Sequence, residues 1–177
     1  MSDTPYLGQT TDVVLGQEFL TWLWFRSETR NGQFTTKDGD TYFMYVEQRV
    51  SVQGGEGETL ETATVSGNLS ELREARLGLS MGKKVNRALI RIERDPEAWH
   101  VTLKAEDFAL GSLKTPKVEK ADSEDDDPDA AFLEKMYLIE KCLAYLDNAY
   151  GEFLSARLSS TWTEEVKELR QWLENAG

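Results

Sequence analysis

Residues 85–104 read VNRALIRIERDPEAWHVTLK, and the alternation within this stretch decides the fold. Apolar side chains occupy every second position in both halves: Ala88, Ile90, Ile92, Trp99, Val101 and Leu103. Such a period of two is typical of strands that bury one face. The intervening residues 95–98, DPEA, predict a hairpin with a four-residue turn that pairs Arg94 with Trp99. The opposite, outer face of this hairpin would then carry four cationic or titratable side chains: Arg87, Arg91, His100 and Lys104.

A second hairpin is predicted upstream. Residues 42–52 and 60–65 are rich in β-branched and aromatic residues, and the glycines of GGEG at 54–57 supply the turn between them. This loop leads into a strand and no Lys-Ser/Thr follows it, so it does not match a phosphate-binding loop. A short helix is predicted from Asn68 to Gly82, since Asn68 and Glu71 resemble a capping box.

The first helix is predicted from Asp12 to about Glu28, with Asn31-Gly32 ending it. Its residues are apolar nearly all round the helix: Val13, Val14, Phe19, Leu20, Trp22, Leu23, Trp24 and Phe25. A helix of this kind is buried on several sides or lies in an interface. We therefore expect it in the core or in a dimer contact.

The C-terminal part is predicted to be a helical hairpin. After the acidic stretch 118–129, a long helix begins at Asp129, and its apolar positions step by four and three as in a heptad repeat: Phe132, Met136, Ile139, Leu143, Leu146, Tyr150 and Phe153. Thr161 and Glu164 suggest a capping box for a last helix, whose seam repeats the same spacing: Trp162, Val166, Leu169 and Leu173. Matching stripes favour an antiparallel pair within one chain. A self-associating coiled coil is the alternative.

The predicted order α-ββ-α-ββ-αα indicates an α+β fold, with an antiparallel sheet of about four strands in two hairpins and helices packed on it. We divide the chain into an α+β domain at 1–117, an acidic linker at 118–129 and a helical hairpin at 130–177 that packs on the first part. At 177 residues and 40% hydrophobic content, the chain can bury a core without metal or disulfide staples.

The catalytic and metal-binding residue types are scarce. Cys142 is the only cysteine and His100 the only histidine, so the sequence offers no disulfide and no zinc-ligand set. We interpret Cys142 as a small buried hydrophobe, and His100 as a strand residue that faces solvent or pairs with Glu93. No motif nominates an enzyme, a cofactor or a metal. The N-terminus lacks secretory-signal features and no apolar run is long enough for a membrane span, which predicts a cytoplasmic protein.

Charge is distributed unevenly along the chain. The net charge is −12, yet residues 68–94 carry a local charge of +4 and residues 119–134 a local charge of −7. The basic residues of the first segment are the candidate nucleic-acid-binding residues: Arg73, Arg76, Lys83, Lys84, Arg87, Arg91 and Arg94. Aromatic stacking partners are not evident on the same face. An acidic protein partner or an internal ion-pair network would account for the same cluster.

Several segments resemble the RdgC family of bacterial recombination-associated proteins. The resemblance is carried by LGQEFLTWLWF at 15–25, EARL at 74–77, GKKV at 82–85, LKTPK at 113–117, and FL and YLIE at 132–133 and 137–140. It implies a nucleoid-associated, non-enzymatic protein that binds DNA without sequence preference, forms a ring-like dimer and restrains RecA. Typical members are much longer, and this chain has no counterpart of their N-terminal half.

Two function classes follow from these observations. The first is a recombination-associated accessory protein that works by binding DNA or a recombination protein, as a homodimer and without a membrane. The second is an acidic protein-interaction or inhibitor module of phage or prophage type, whose surface imitates nucleic acid. The −12 net charge favours the second class, and the local basic cluster favours the first.

Overall fold

The computed structural model describes residues 15–54, 61–66, 84–117 and 128–175. These residues form three helices and six strands in the order α1 (Gly16–Thr29), β1 (Gln33–Thr35), β2 (Thr41–Gly54), β3 (Glu61–Ser66), β4 (Lys84–Arg94), β5 (Glu97–Lys104), β6 (Leu110–Lys114), α2 (Pro128–Arg157) and α3 (Trp162–Glu174). The predicted helix at 68–82 and the acidic run at 118–127 lie outside the described residues.

All the strands belong to one antiparallel sheet, ordered β1-β2-β4-β5-β6. β3 pairs with the C-terminal half of β2, on the side away from β4. The α+β class, the antiparallel sheet and the C-terminal helices are confirmed. Two short strands, β1 and β6, extend the sheet beyond the four predicted strands.

The central hairpin of β4 and β5 buries the predicted face. All six alternating apolar side chains are at most 3% exposed: Ala88, Ile90, Ile92, Trp99, Val101 and Leu103. The predicted turn was wrong, because Arg94 lies opposite Glu97 and only Asp95 and Pro96 form the turn, with a cis peptide bond between them. The register therefore differs by two residues from the prediction. An even shift keeps each side chain on its predicted face.

Helix α1 lies on the inner face of the sheet, against β2 and β4. Its large apolar side chains are all buried, as expected: Phe19, Leu20, Trp22, Leu23, Trp24 and Phe25. Asn31 and Gly32 end the helix in the left-handed conformation, with φ of 56° and 64°. The N–H of Gly32 donates to the Arg26 carbonyl at 3.1 Å, a pattern typical of helix C-terminal caps.

Helix α2 also packs on the inner face, but the predicted seam was wrong over its N-terminal half. Phe132, Met136 and Leu143 are exposed, whereas the buried stripe is Leu138, Cys142, Tyr145, Leu146, Ala149 and Phe153. Hydrogen bonds from the sheet fix this rotation. The indole N–H of Trp99 donates to the Leu138 carbonyl at 2.9 Å, and the Tyr42 hydroxyl donates to the Tyr145 carbonyl at 2.8 Å.

Helix α3 packs on α1. Trp172 contacts the rings of Trp24 and Phe25 edge-on, with centroids 5.4 and 5.8 Å away, and its indole donates to Glu28 at 2.8 Å. Leu146 of α2 and Leu169 of α3 are both buried within the chain. The capping box at Thr161 is not formed, since its side chain makes no capping hydrogen bond. Sheet, α1, α2 and α3 share one core.

Candidate nucleic-acid interface

The sheet has two unlike faces. The inner face carries α1 and α2, and we call the opposite one the outer face. It presents side chains from β2, β4, β5 and β6: Phe43, Tyr45, Arg87, Arg91, Glu93, His100, Lys104 and Lys114. These side chains are half-buried or exposed, whereas their neighbours in sequence on β4 and β5, such as Ile92 and Trp99, are buried.

One row of the outer face crosses four strands. Tyr45 lies opposite Arg91, Arg91 opposite His100, and His100 opposite Lys114. Directly opposed residues have Cβ atoms about 4.5–5.5 Å apart, so this row places an aromatic ring and three basic side chains side by side. Only Arg91 and His100 of this row were placed on the face by the sequence.

A second basic pair lies on the same face, where Arg87 is opposite Lys104. Like charges directly across a sheet are unfavourable. Neither residue makes an ion pair with another described residue, so their repulsion is not relieved inside the described part of the chain. A bound anion between them would relieve it.

Aromatic side chains accompany these cations, contrary to the sequence-based expectation. The rings of Phe43 and Tyr45 are nearly parallel, at 4°, with centroids 6.4 Å apart. The Arg91 guanidinium lies over the Tyr45 ring at 4.9 Å and also pairs with Glu93 at 3.0 Å. Arg91 is therefore held in place by two neighbours. Planar aromatic and guanidinium groups are the surfaces on which nucleic-acid bases stack.

The seven predicted binding residues are not all together. Arg87 and Arg91 share the outer face, and β4 begins at Lys84, while Arg73, Arg76 and Lys83 lie outside the described residues. Arg94 lies elsewhere: it donates to Asp40 at 2.9 Å and to the Tyr145 hydroxyl at 3.4 Å, on the side of α2. These contacts, first the hydrogen bond with Tyr145, raise the pKa of Arg94.

A groove of about 1000 Å³ runs between α2 and the β1–β2 turn, where Arg94 lies. Both of its arginines are paired: Arg94 with Asp40 at 2.9 Å, and Arg26 with Glu152 at 3.9 Å. Burial lowers the pKa of Arg26 and raises that of Glu152. Compensated charges make this groove a weaker anion site than the outer face.

The residues with catalytic potential lie apart. Cys142 is fully buried, and burial raises the pKa of its thiol to about 11, so the nucleophilic thiolate is scarce at neutral pH. His100 lies on the outer face, opposite Arg91. Within the residues that the structure describes, no group of three His, Cys, Asp or Glu side chains could hold a metal ion. None of the described helices is both long and apolar enough to cross a bilayer.

No protein-family model, curated protein or solved structure shows a significant match to this chain. The resemblance to the RdgC family rests on the sequence segments and stays a prediction.

Proposed function

We propose that this protein binds DNA without sequence preference through the outer face of its sheet, as a non-enzymatic accessory protein of recombination in the cytoplasm or nucleoid. The row Tyr45, Arg91, His100 and Lys114 carries the proposal, because it joins a stacking surface to cations across four strands. The recombination context is supported by the RdgC-like segments, including the one that forms α1.

The two kinds of side chain have separate tasks. Arg87, Lys104 and Lys114 neutralise phosphates, a contact that is independent of base sequence. Tyr45, capped by Arg91, offers planar groups to unstacked bases. With three phosphate contacts, log affinity for a single strand should fall against log salt with a slope of about −2.

The net charge of −12 favours a second candidate, an acidic interaction or inhibitor module that binds a protein. Averaged over the surface, this charge repels DNA and attracts basic partners. The two proposals differ in what salt does to DNA binding. A protein-binding module of this kind shows no DNA affinity at any salt concentration, whereas phosphate contacts leave the linear salt dependence.

The test is fluorescence anisotropy with labelled single- and double-stranded oligonucleotides, over a salt series from about 0.02 to 0.2 M. Replacing Arg87, Lys104 and Lys114 together by Gln should weaken binding at least tenfold and reduce the slope to nearly zero. The matched control replaces Lys37 and Lys167 by Gln, since both are exposed and lie away from the outer face. The control should bind within about twofold of the wild type.

A second variant in the same DNA-binding test changes the acidic stretch at 118–129. Replacing Asp125, Asp126 and Asp127 by Asn removes three negative charges that compete with phosphate for the basic residues, so DNA binding should strengthen. If neither the wild type nor this neutralised variant binds DNA at any salt concentration, the DNA proposal is refuted. The protein-partner proposal then replaces it.

A further inference from the structure

The N-terminal half of α2 exposes an unusual amount of apolar surface. Seven large apolar side chains are exposed in the described part of the chain, and five of them fall within twelve residues of α2: Phe132 (64%), Leu133 (63%), Met136 (43%), Tyr137 (55%) and Leu143 (46%). Together these fractions amount to roughly 500 Å² for side chains of this size. That is of the order of the largest apolar patches on monomeric proteins, which are often interaction sites.

The patch has the spacing of a helix-pairing seam. Phe132, Met136, Ile139 and Leu143 step by four, three and four, which is the heptad pattern of a coiled coil. We call these four residues the α2 stripe. Further along the helix the same heptad positions, Leu146 and Phe153, are buried in the chain's own core. Within the described residues, only the first half of the seam therefore lacks a partner helix.

The C-terminal end of the α2 stripe meets a small apolar cavity. This cavity, of about 190 Å³, is lined by Leu143 itself and by Phe108, Leu110 and Tyr150. Leu110 is another of the exposed large apolar residues, at 37%. The apolar surface thus continues from the helix onto the body of the protein, which adds to the area that a partner helix can cover.

The charges beside the α2 stripe identify the partner. With Met136 and Leu143 at heptad position a, Lys135 takes position g and Glu140 takes position e. In a parallel pair, position g faces position e of the next heptad on the partner, and Lys135 and Glu140 are five residues apart, as that pairing requires. Both are exposed, and neither makes an ion pair with another described residue.

The α2 stripe and its flanking charges are therefore complementary to the same surface on a second copy of this chain. We propose that two copies associate through the α2 stripe as a parallel, two-fold symmetric pair of helices, with Lys135 of each copy facing Glu140 of the other. The same surface patch on both subunits makes such an interface isologous and closed. Because each patch is below the roughly 800 Å² per partner of a standard interface, we expect a dissociation constant in the micromolar range.

The first experiment measures mass against concentration by analytical ultracentrifugation of the full chain. The wild type should dimerise at roughly 10–100 µM, and replacing Phe132 and Met136 by Ser should weaken the dimer about 100-fold or more. Leu158→Ser is the control, because Leu158 is 83% exposed, directly follows the last residue of α2 and is not part of the α2 stripe. A wild type that stays monomeric, or a dimer that survives the double replacement, overturns the proposal.

A charge swap tests the orientation. Lys135→Glu or Glu140→Lys alone places two pairs of like charges at the interface, and each should weaken the dimer several-fold at low salt. The double variant carries both changes, restores opposite charges across the parallel pair and should recover most of the wild-type affinity. Single variants that dimerise as well as the wild type, or a double variant weaker than either, contradict the parallel arrangement. Circular dichroism of each variant should match that of the wild type, since the replaced residues Phe132, Lys135, Met136 and Glu140 are all exposed.

Discussion

Replacing Gly16 by alanine should destabilise the protein, although alanine is the better helix former. Gly16 is the first residue of α1 and is buried against the chain segment that follows β5. A Cβ atom added there would lie 1.9 Å from the carbonyl oxygen of Ala105, and 2.7 and 2.8 Å from its carbonyl carbon and Cα. All three neighbours are backbone atoms, so no side-chain rotation can relieve the overlap.

The loss of stability can be estimated from how far α1 and the Ala105 backbone must move apart to remove the overlap. Ordinary contact begins at 3.4 Å, so helix α1 and the strand end must separate by about 1.5 Å. That movement would loosen a helix whose large side chains are at most 1% exposed. Overpacking of this kind costs about 1–3 kcal/mol, and sometimes more. The helix-propensity gain of at most about 1 kcal/mol offsets part of it.

Gly151→Ala is the matched control, because it makes the same chemical change at an exposed position inside α2. Apart from the backbone of its own helix and its chain neighbours, no described atom lies within 4 Å of the added Cβ there. This variant should gain about 0.5–1 kcal/mol in unfolding free energy. Urea unfolding followed by tryptophan fluorescence measures both variants. A Gly16→Ala protein that is as stable as the wild type, with an unchanged slope of unfolding free energy against urea concentration, would refute the close approach of Gly16 to the Ala105 backbone.

Two further predictions concern buried groups. Trp22→Ala should lower the free energy of unfolding by about 3–5 kcal/mol. Trp22→Phe should lower it by roughly 1–3 kcal/mol, because the phenylalanine loses the 2.9 Å hydrogen bond to Glu165. Equal urea midpoints for the wild type and Trp22→Ala would contradict both expectations. Between pH 9 and 11 the unfolded Cys142 thiol releases its proton while the folded one, with a pKa of about 11, retains it. Stability should therefore fall as pH rises through that window, by up to about 1.4 kcal/mol per pH unit. In urea titrations across it, Cys142→Ala should show a smaller decline, and an equally steep decline would count against the buried thiol.

The central hairpin was predictable because its apolar residues alternate strictly, and that alternation fixes both strands and their buried face. The turn length was not predictable on the same grounds. Pairing Arg94 with Trp99 or with Glu97 differs by two residues and leaves every side chain on the same face. The edge strands β1 and β6 have three and five residues, too few to display a period.

The rotation of α2 was ambiguous for a related reason. The stripe of Leu138, Cys142, Tyr145 and Ala149 has the same four-three-four spacing as the predicted seam, but each residue comes one position earlier in the chain. What separates the two stripes is the pair of sheet side chains, Trp99 and Tyr42, that donate hydrogen bonds to α2 carbonyls. Contacts distant in sequence decide this rotation, and a local pattern does not contain them.

The candidate site was only half predictable. Phe43 and Tyr45 were missed because residues 42–46, YFMYV, are all apolar, so the sequence does not show which of them face inward. The placement of Arg94 on the inner side of the sheet, by contrast, was predictable from the sequence. It shares the parity of Ile90 and Ile92, so the same alternation that buries these residues places it on the inner side.

The basic outer face and the net charge of −12 are compatible because most of the negative charge belongs to other segments: the helices α1, α2 and α3 carry a net charge of −5 and residues 119–127 carry another −5. Acidic residues of α2 and α3, including Glu134, Glu140, Glu164 and Glu168, lie on elements of the inner side. Layers of secondary structure pack about 10 Å apart, while charges at 0.15 M salt are screened beyond about 8 Å. At that ionic strength a phosphate on the outer face responds mainly to Arg87, Arg91, Lys104 and Lys114. At about 0.01 M salt the screening length reaches about 30 Å, so the helix-side acids also repel the DNA and the gain in affinity on lowering salt becomes smaller.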